Sequence, residues 1–159
     1  MRTVASILLL TVLAAPVMAQ SPSDSVDFRL EAHQWEHRLL LVFAPTATAD
    51  SLAAQADRFQ GHDPGFRDRD LRLLTLQGPA DGTIRAAPGA AARPLTAASA
   101  ERLYDRFDVP ADAFRVVLVG KDGTEKRRNA EPVTARSIFD TIDAMPMRQR
   151  EMRDGGGGE

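Results

Sequence analysis

The sequence predicts an α/β domain built on a central mixed sheet of about four strands that is flanked by helices. Two observations lead to this fold class. Short apolar runs alternate with stretches in which apolar residues recur at helical spacing, and an Asp-Gly pair separates the last two strand-like runs. The alternation predicts strands joined by helices, and Asp-Gly between two strands favours a hairpin. The predicted order of elements is β-α-β-α-β-β-α.

The first strand and the first helix are predicted between residues 37 and 60. Residues 39–43 are Leu-Leu-Leu-Val-Phe, a continuous apolar run that is typical of a central strand covered on both faces. After Pro45 ends this run, we expect Thr48 or Asp50 to cap a helix that continues to about Gln60. The apolar residues at helical spacing in this helix are Leu52, Ala56 and Phe59.

A second strand is predicted over residues 70–76, where leucine occupies four of the seven positions. It should run parallel to the first strand, because a helix joins the two. Residues 78–94 are rich in Gly, Pro and Ala, so we expect a long connection with a turn at an Asp-Gly pair inside it. Residues 95–107 have the pattern of a helix with Thr96 as its cap. Its inward face would carry Ala100, Leu103 and Phe107.

The last three elements are a hairpin and a helix. Residues 114–119 form the third predicted strand, and the Asp-Gly turn at 121–124 leads into a polar strand over 125–128. A polar outgoing strand is typical of a sheet edge. A final helix is expected over 134–144, and Pro146 should stop it. One face of this helix carries Ala135, Ile138, Phe139 and Ile142.

The first 19 residues have the layout of a secretory signal peptide. Arg2 supplies a short positive region, residues 4–15 are nearly all apolar but too few to span a bilayer comfortably, and cleavage is expected after Ala19. We therefore expect an exported protein, periplasmic or secreted, with no membrane span after cleavage.

The rest of the chain is predicted to form one domain over residues 35–151, between a flexible leader over 20–34 and a disordered tail over 152–159. A chain of 159 residues fits one domain, and 43% hydrophobic residues suffice for a packed core. A formal net charge of -2 provides no overall basic field for nucleic acid or acidic membranes.

The chain contains no cysteine, which excludes thiolate nucleophiles, CxxC motifs and cysteine metal sites. The predicted order of elements is that of the thioredoxin-like fold, and residues 41–45, Leu-Val-Phe-Ala-Pro, resemble the strand that precedes the redox motif of thioredoxins. The resemblance places the two catalytic cysteine positions at Ala47 and Asp50. Neither side chain can carry thiol chemistry, so the resemblance implies the fold without its usual reaction.

The same region also resembles the peroxiredoxin motif. Pro45, Thr48 and Ser51 correspond to its proline, threonine and peroxidatic cysteine, with a spacing that is one residue short. A serine hydroxyl is not ionised at neutral pH and does not reduce peroxide. Arg115 occupies a place similar to that of the peroxiredoxin arginine. The alternative interpretation of Thr48 and Ser51 is helix capping, which we favour because both residue types are common at caps.

Three segments together resemble a bacterial family of domains of unknown function, family 4174. They are Trp35 followed by the stretch 38–45, the Val-Leu-Val-Gly-Lys-Asp-Gly hairpin at 117–123, and Met-Pro-Met-Arg at 145–148. The resemblance covers residues 35–151. It implies a relation to thioredoxin-like or peroxiredoxin-like modules of sushi-repeat and matrix-associated secreted proteins. It implies no particular activity, because the function of the family is not established.

Two other patterns are candidates for binding sites. His33 and His37 are four residues apart and could share a zinc ion on a helix, but a third ligand is missing and solvated histidines are favoured. We expect Trp35 to pack in the core or at an edge, and we expect no metal and no cofactor. Residues 126–128, Lys-Arg-Arg, are interpreted as protection of an edge strand rather than as a nucleic-acid site.

We therefore expect a non-enzymatic binding or interaction module with an unknown protein or small-molecule partner in the cell envelope. The alternative is an enzyme with non-thiol chemistry, or a degenerate peroxiredoxin-like oxidoreductase, at the N-terminus of the first helix. That alternative requires Asp50 and Arg115 to converge in one pocket. Residues 145–148 could close the core or serve as a docking surface, with Arg148 paired to Asp143. The candidate ligand-binding residues are Thr48, Asp50, Ser51, Arg115 and Arg148.

Overall fold

A computed structural model describes residues 25–155. Its strands are β1 (Arg38–Ala44), β2 (Leu71–Gln77), β3 (Gly82–Arg85), β4 (Arg93–Pro94), β5 (Arg115–Val119) and β6 (Glu125–Asn129). Its helices are α1 (Asp50–Phe59), α2 (Asp63–Asp68), α3 (Ala97–Arg106), α4 (Ala135–Asp143) and α5 (Pro146–Gly155), and a short 3-10 helix (Leu30–His33) precedes β1. The strands form one mixed sheet in the order β4-β3-β2-β1-β5-β6. The predicted α/β class with a mixed sheet is confirmed, with six strands rather than about four.

The strand β1 lies in the middle of the sheet, as its apolar run predicts. All seven of its residues are buried. It pairs with β2 in parallel, from Arg38 opposite Leu71 to Ala44 opposite Gln77. It pairs with β5 in the antiparallel sense, so that Phe43 lies opposite Arg115. The side chains of β1 alternate between two apolar layers, because successive residues of a strand point to opposite faces.

One apolar layer lies between the sheet and α3, and the other lies between the sheet and the helices α1, α2 and α4. The α3 layer contains Leu39, Leu41, Phe43, Leu74, Leu76, Ile84, Leu103 and Phe107. The α1 layer contains Leu40, Val42, Phe59, Phe66, Leu71, Leu73, Val116, Ile138 and Ile142. No helix within residues 25–155 has the length and apolar character needed to cross a membrane.

The predicted long connection over 78–94 is wrong. After β2 the chain turns back, with the Gln77 amide donating to the Asp81 carbonyl at 2.9 Å, and β3 pairs with β2 in the antiparallel sense. The two-residue strand β4 then extends the sheet. Both strands are too short to show a strand-like alternation of apolar and polar residues. In β3, Ile84 is the only large apolar side chain that is buried.

The predicted cap is confirmed for α3 and wrong for α1. Thr96 and Thr134 cap α3 and α4, each accepting a hydrogen bond from the amide three residues later. The helix α1 instead begins at Asp50 after Ala49, whose side chain has no acceptor. Thr48 lies before the cap position, so neither it nor Asp50 caps this helix.

The structure also differs from the prediction at both ends of the domain. The helix α4 ends at Asp143, before Pro146 as predicted, but Pro146 then begins a further helix, α5, because proline is well tolerated in the first turn of a helix. The helix α5 reaches Gly155 and so enters the segment predicted as a disordered tail. Within the predicted flexible leader, Phe28 and Leu30 are buried, and the Val26 amide donates to the Pro94 carbonyl at 2.8 Å. The predicted signal peptide and residues 156–159 lie outside the described residues.

Candidate functional site

A cavity of about 410 Å³ lies on the α1 face of the sheet. Its walls are α1, the strands β2 and β3, and the loop that follows β3. We call it the α1 groove. Its apolar lining consists of Val42, Leu52, Ala56, Phe59, Leu73 and Pro88.

The floor of the α1 groove changes from apolar to polar along β2. Because side chains alternate along a strand, Leu71, Leu73, Thr75 and Gln77 share the α1 face. Leu71 and Leu73 are buried, whereas Thr75 and Gln77 are partly exposed. The polar side chains of Thr75 and Gln77 are not covered by α1 as the leucines are. The groove therefore has an apolar floor at one end and hydrogen-bonding groups at the other.

Arg85 is the one cationic residue that lines the α1 groove within the described part of the chain. It lies opposite Leu73 in the register of β2 and β3, and its neighbour Ile84 packs in the layer on the other side of the sheet. Its Nη1 donates to the Pro88 carbonyl at 3.2 Å. Its Nε is buried and has no hydrogen-bond partner. Among residues 25–155, Arg85 forms no ion pair.

Other polar residues of the α1 groove have structural contacts that fix its walls. The buried Gln55 donates to the Val133 carbonyl and accepts from the Val133 amide, both at 2.8 Å, and so ties α1 to the segment before α4. The Asp63 carboxylate accepts from the Gly89 amide at 2.9 and 3.2 Å. A Cβ atom at Gly89 would lie 2.7 Å from Asp63 Oδ2, so this close approach requires glycine.

The N-terminus of α1, where the thiol of a thioredoxin or peroxiredoxin would be, is exposed. Ala47, Thr48 and Asp50 are exposed, and Ser51 is partly exposed. The Thr48 hydroxyl lies 3.3 Å from the hydroxyl of Thr46. In the described region, the side chains of Asp50 and Ser51 form no hydrogen bond or ion pair.

Arg115 lies at the same end of the sheet as the N-terminus of α1. It pairs with Phe43 across β1 and β5, one residue before the end of β1. Its Nη1 donates to the carbonyl of the preceding Phe114 at 2.6 Å. Arg115 and Asp50 do not form an ion pair with each other.

Arg148 lies at the opposite end of the sheet, where β1 and β2 begin, and so is not brought together with the other four candidates. Its guanidinium binds the Asp68 carboxylate, donates to the Asp68 carbonyl at 2.8 Å, and lies 3.4 Å from Asp143. The predicted pair with Asp143 is confirmed. These contacts attach the start of α5 to the ends of α2 and α4.

Arg148 belongs to a larger ionic cluster that joins α5 to the sheet. Arg38, which is 1% exposed, donates from Nη2 to both carboxylate oxygens of Glu151 at 3.1 Å. Lys121 lies 2.9 Å from Glu151 and 2.8 Å from Asp70. We call this set the α5 cluster. Its four cations balance its four carboxylates, and its members are Arg38, Arg69, Lys121, Arg148, Asp68, Asp70, Asp143 and Glu151.

The cations of the α5 cluster keep its carboxylates ionised. Burial raises the pKa of Glu151, but the hydrogen bond from Lys121 and the charge of Arg38 outweigh it, so the pKa lies below its usual value. The pKa of Asp143 is lowered in the same way, burial being outweighed by Arg69.

A second cavity, of about 530 Å³, lies beside the α5 cluster and is lined by residues 145–147. Three of its four basic residues, Arg38, Lys121 and Lys126, already pair with carboxylates, whereas Arg150 forms no ion pair among the described residues. Met145 packs against the α1 layer of the core. This contact favours core closure for Met145 over a docking role.

The two histidines before β1 are partly buried, so the expectation of solvated side chains is wrong. The His33 ring stacks on Phe28 with centroids 4.8 Å apart, and His37 Nε2 lies 3.0 Å from Arg72 Nη2. The Nδ1 atom of each is buried without a hydrogen-bond partner, and that of His37 lies 3.8 Å from the Glu36 carboxylate. Burial lowers the pKa of both histidines, and the charge of Arg72 lowers them further. Residues 25–155 contain no group of three or more acidic or histidine side chains that could hold a metal ion.

Trp35 is 66% exposed and does not pack in the core or at an edge as expected. Its backbone has a φ of 68°, in the left-handed region, and its amide donates to the Lys121 carbonyl at 2.7 Å. The tight turn between the 3-10 helix and β1 therefore directs this ring to the surface.

Comparisons with known proteins agree with this architecture. The family described as "Domain of unknown function (DUF4174)" matches residues 29–151. The chain is 32% identical over 120 residues to the sushi repeat-containing protein SRPX of Rattus norvegicus, covering 74% of this chain and 25% of that protein. It is 27% identical over 143 residues to human SRPX2, covering 88% of this chain and 30% of that protein. The chain thus spans about a quarter of the length of the curated relatives it matches.

A solved structure shows the fold. Thioredoxin peroxidase I of Plasmodium yoelii superposes with a TM-score of 0.55 at 16% sequence identity, covering 76% of this chain and 79% of that chain. The predicted thioredoxin-like fold is confirmed. At this identity the likeness concerns the fold alone, and this chain has no cysteine with which to share the chemistry.

Proposed function

We propose that this chain, which belongs to the DUF4174 family of domains of unknown function, is a non-enzymatic binding module that holds a small organic ligand in the α1 groove. The observation that carries the proposal is the groove itself. Its volume of about 410 Å³ falls within the range of small-molecule sites. Apolar side chains with a few convergent polar groups, here Thr75, Gln77 and Arg85, are the usual lining of such sites.

The alternative, an enzyme at the N-terminus of α1, has less support. Thiol chemistry is excluded because the chain has no cysteine. A non-thiol reaction would need a nucleophile or acid activated by a neighbour within hydrogen-bond reach. Asp50 and Ser51 form no such pair in the described residues, and Arg115 donates to a backbone carbonyl.

Export forms a further part of the proposal. The apolar segment at 4–15 and the cleavage position at Ala19 support a periplasmic or secreted module whose partner lies in the cell envelope. Protein recovered from the periplasm or medium should begin at Gln20, as measured by intact mass. Retention of Met1 in the exported fraction would contradict cleavage.

The binding role is tested by nuclear magnetic resonance of purified protein with a library of small fragments. We expect methyl shifts of Leu52 and Leu73 for the fragments that bind. Ala56→Phe should abolish these shifts, because Ala56 lines the groove at an exposed helix position. Ala53→Phe is the matched control, since Ala53 is exposed on the same helix outside the groove. A library that leaves both methyl groups unshifted would refute the role.

Purified metal-free protein is expected to reduce neither hydrogen peroxide nor the disulfides of insulin in the presence of dithiothreitol. The reason is that Ala47, Asp50 and Ser51 occupy the positions of the reactive thiols. Peroxide consumption and insulin precipitation are the measurements, each compared with a buffer blank. Turnover above the blank that follows the protein through a second purification would refute the non-enzymatic assignment.

A further inference from the structure

We infer that the ligand of the α1 groove is a small organic carboxylate whose anionic group binds Arg85 and whose apolar body lies against Leu52 and Leu73. This inference rests on the proposed function and goes further by naming the class of ligand. It begins with the backbone. Arg85 lies opposite Leu73 in the sheet register, which places its side chain on the α1 face among the groove residues.

The guanidinium of Arg85 is held in place but not neutralised. One of its five N–H donors is used by the Pro88 carbonyl, at 3.2 Å. Its Nε is buried without a partner. A buried donor that finds no acceptor, on a group that cannot lose its charge, is costly unless something else supplies the acceptor. A carboxylate in the groove would neutralise the guanidinium and accept hydrogen bonds from its terminal N–H groups, of which only one on Nη1 is used by Pro88.

The acidic residues that line the α1 groove do not meet this need. The Asp63 carboxylate accepts from the Gly89 amide at 2.9 Å and lies 3.6 Å from Arg67. Asp57 is exposed on α1 and forms no ion pair with Arg85 in the described structure. By contrast, the buried Arg38 binds Glu151, which is 113 residues away in the sequence.

The apolar part of the lining suits an uncharged apolar body. Leu52 and Ala56 of α1 face Val42 and Leu73 of the sheet across the cavity. These side chains offer no charge to a second polar group. A short aliphatic or aromatic carboxylate therefore fits the lining better than a polyanion such as a nucleotide, for which a single arginine supplies too little charge.

The test compares three probes that share one chain: hexanoate, hexanol and hexylammonium. Binding is measured from methyl shifts of Leu52 and Leu73, and engagement of the arginine is measured from the Nε–Hε resonance of Arg85. We expect hexanoate to bind about tenfold more tightly than hexanol and to shift the Arg85 resonance. Arg85→Gln should remove this preference, Arg85→Lys should retain part of it, and the exposed-site control Arg93→Gln should retain all of it.

The outcomes separate this inference from the proposed function. Equal binding of hexanoate and hexanol with methyl shifts in the groove would overturn the carboxylate assignment and leave the binding role standing. Preference for hexylammonium would overturn the assignment in the same way. If none of the three shifts the groove methyl groups, the carboxylate assignment fails, and the fragment library decides the binding role. Thermal melting of each variant shows whether it is folded.

Discussion

At the end of the sheet where β1 begins, Arg38 is almost fully buried and donates to both carboxylate oxygens of Glu151 at 3.1 Å. On the α1 face of the same sheet, Arg85 is partly buried, its Nε lacks a partner, and it forms no ion pair among the described residues. The first arginine is satisfied by the chain itself. The second is satisfied only if an acceptor comes from outside the described fold. This difference separates an arginine that maintains structure from one that is available to a ligand.

A third region shows another solution to the same physical problem. His33 and His37 each bury an Nδ1 that has no hydrogen-bond partner. Burial lowers the pKa of both, so they avoid the cost of charge by staying neutral. Arginine has no such option, because its guanidinium stays protonated in proteins. The permanent charge of Arg85 therefore favours an anionic ligand, whereas the neutral histidines do not.

The largest effect is expected for Glu151→Gln in the α5 cluster. The substitution leaves the buried Arg38 and the adjacent Lys121 without their shared carboxylate. Breaking a buried pair in this way costs about 3 kcal/mol of unfolding free energy. Urea unfolding measures the loss, and Glu131→Gln at an exposed position is the control. If the two variants unfold at the same urea concentration, Arg38 does not depend on Glu151 for its stability.

Helices and strands with long or specific sequence patterns were predictable from the sequence. The contacts of Arg38 and Arg85 were not. The apolar run at 39–43, the cap at Thr96 and the apolar face within 135–142 were sufficient to predict β1, α3 and α4. The pairing of Arg38 with Glu151 joins residues 113 positions apart, and it depends on α5, which the proline at its first position concealed. No local pattern reports such a contact.

The α1 groove was missed for a different reason. Arg85 lies in β3, a four-residue strand within a Gly- and Pro-rich segment, so it was assigned to a loop with no defined face. The available signal was alternation: Thr75 and Gln77 follow Leu73 on one face of β2, which predicts a polar opening there. Only the pairing of β3 with β2 places Arg85 beside that opening. The candidate residues Thr48, Asp50 and Ser51 instead lie where related folds carry a reactive thiol, and this chain has no cysteine.

A smaller effect is expected from acidification, through the neutral histidines. Their folded-state pKa lies below the ordinary value, so the unfolded chain binds protons more readily. Stability is therefore complete above the ordinary histidine pKa and falls as the pH drops through about 6.5. Urea unfolding at pH 7.5 and pH 5.5 measures this loss, which should be smaller than that of Glu151→Gln.

The matched variants for this pH dependence are available in the chain itself. Replacing His33 and His37 together by Gln should flatten the pH dependence, because the groups that titrate are gone. His62→Gln should leave it unchanged, since His62 is exposed. A double variant that still loses stability as steeply as the parent would show that other groups are responsible.

The smallest effect, and the one that decides the comparison, is expected for Arg85→Leu in the protein without ligand. Removing Arg85 abolishes one hydrogen bond to Pro88 but also an unpaired buried donor and an uncompensated charge. Loss of the hydrogen bond destabilises the fold, whereas removal of the unpaired donor and of the charge stabilises it. The unfolding free energy should therefore change by less than about 1 kcal/mol, with either sign. Arg38→Leu, by contrast, leaves Glu151 without its buried partner and should cost several times more. Comparable losses for the two variants would mean that Arg85 maintains the fold as Arg38 does, and the case for a ligand at Arg85 would then lose its physical basis.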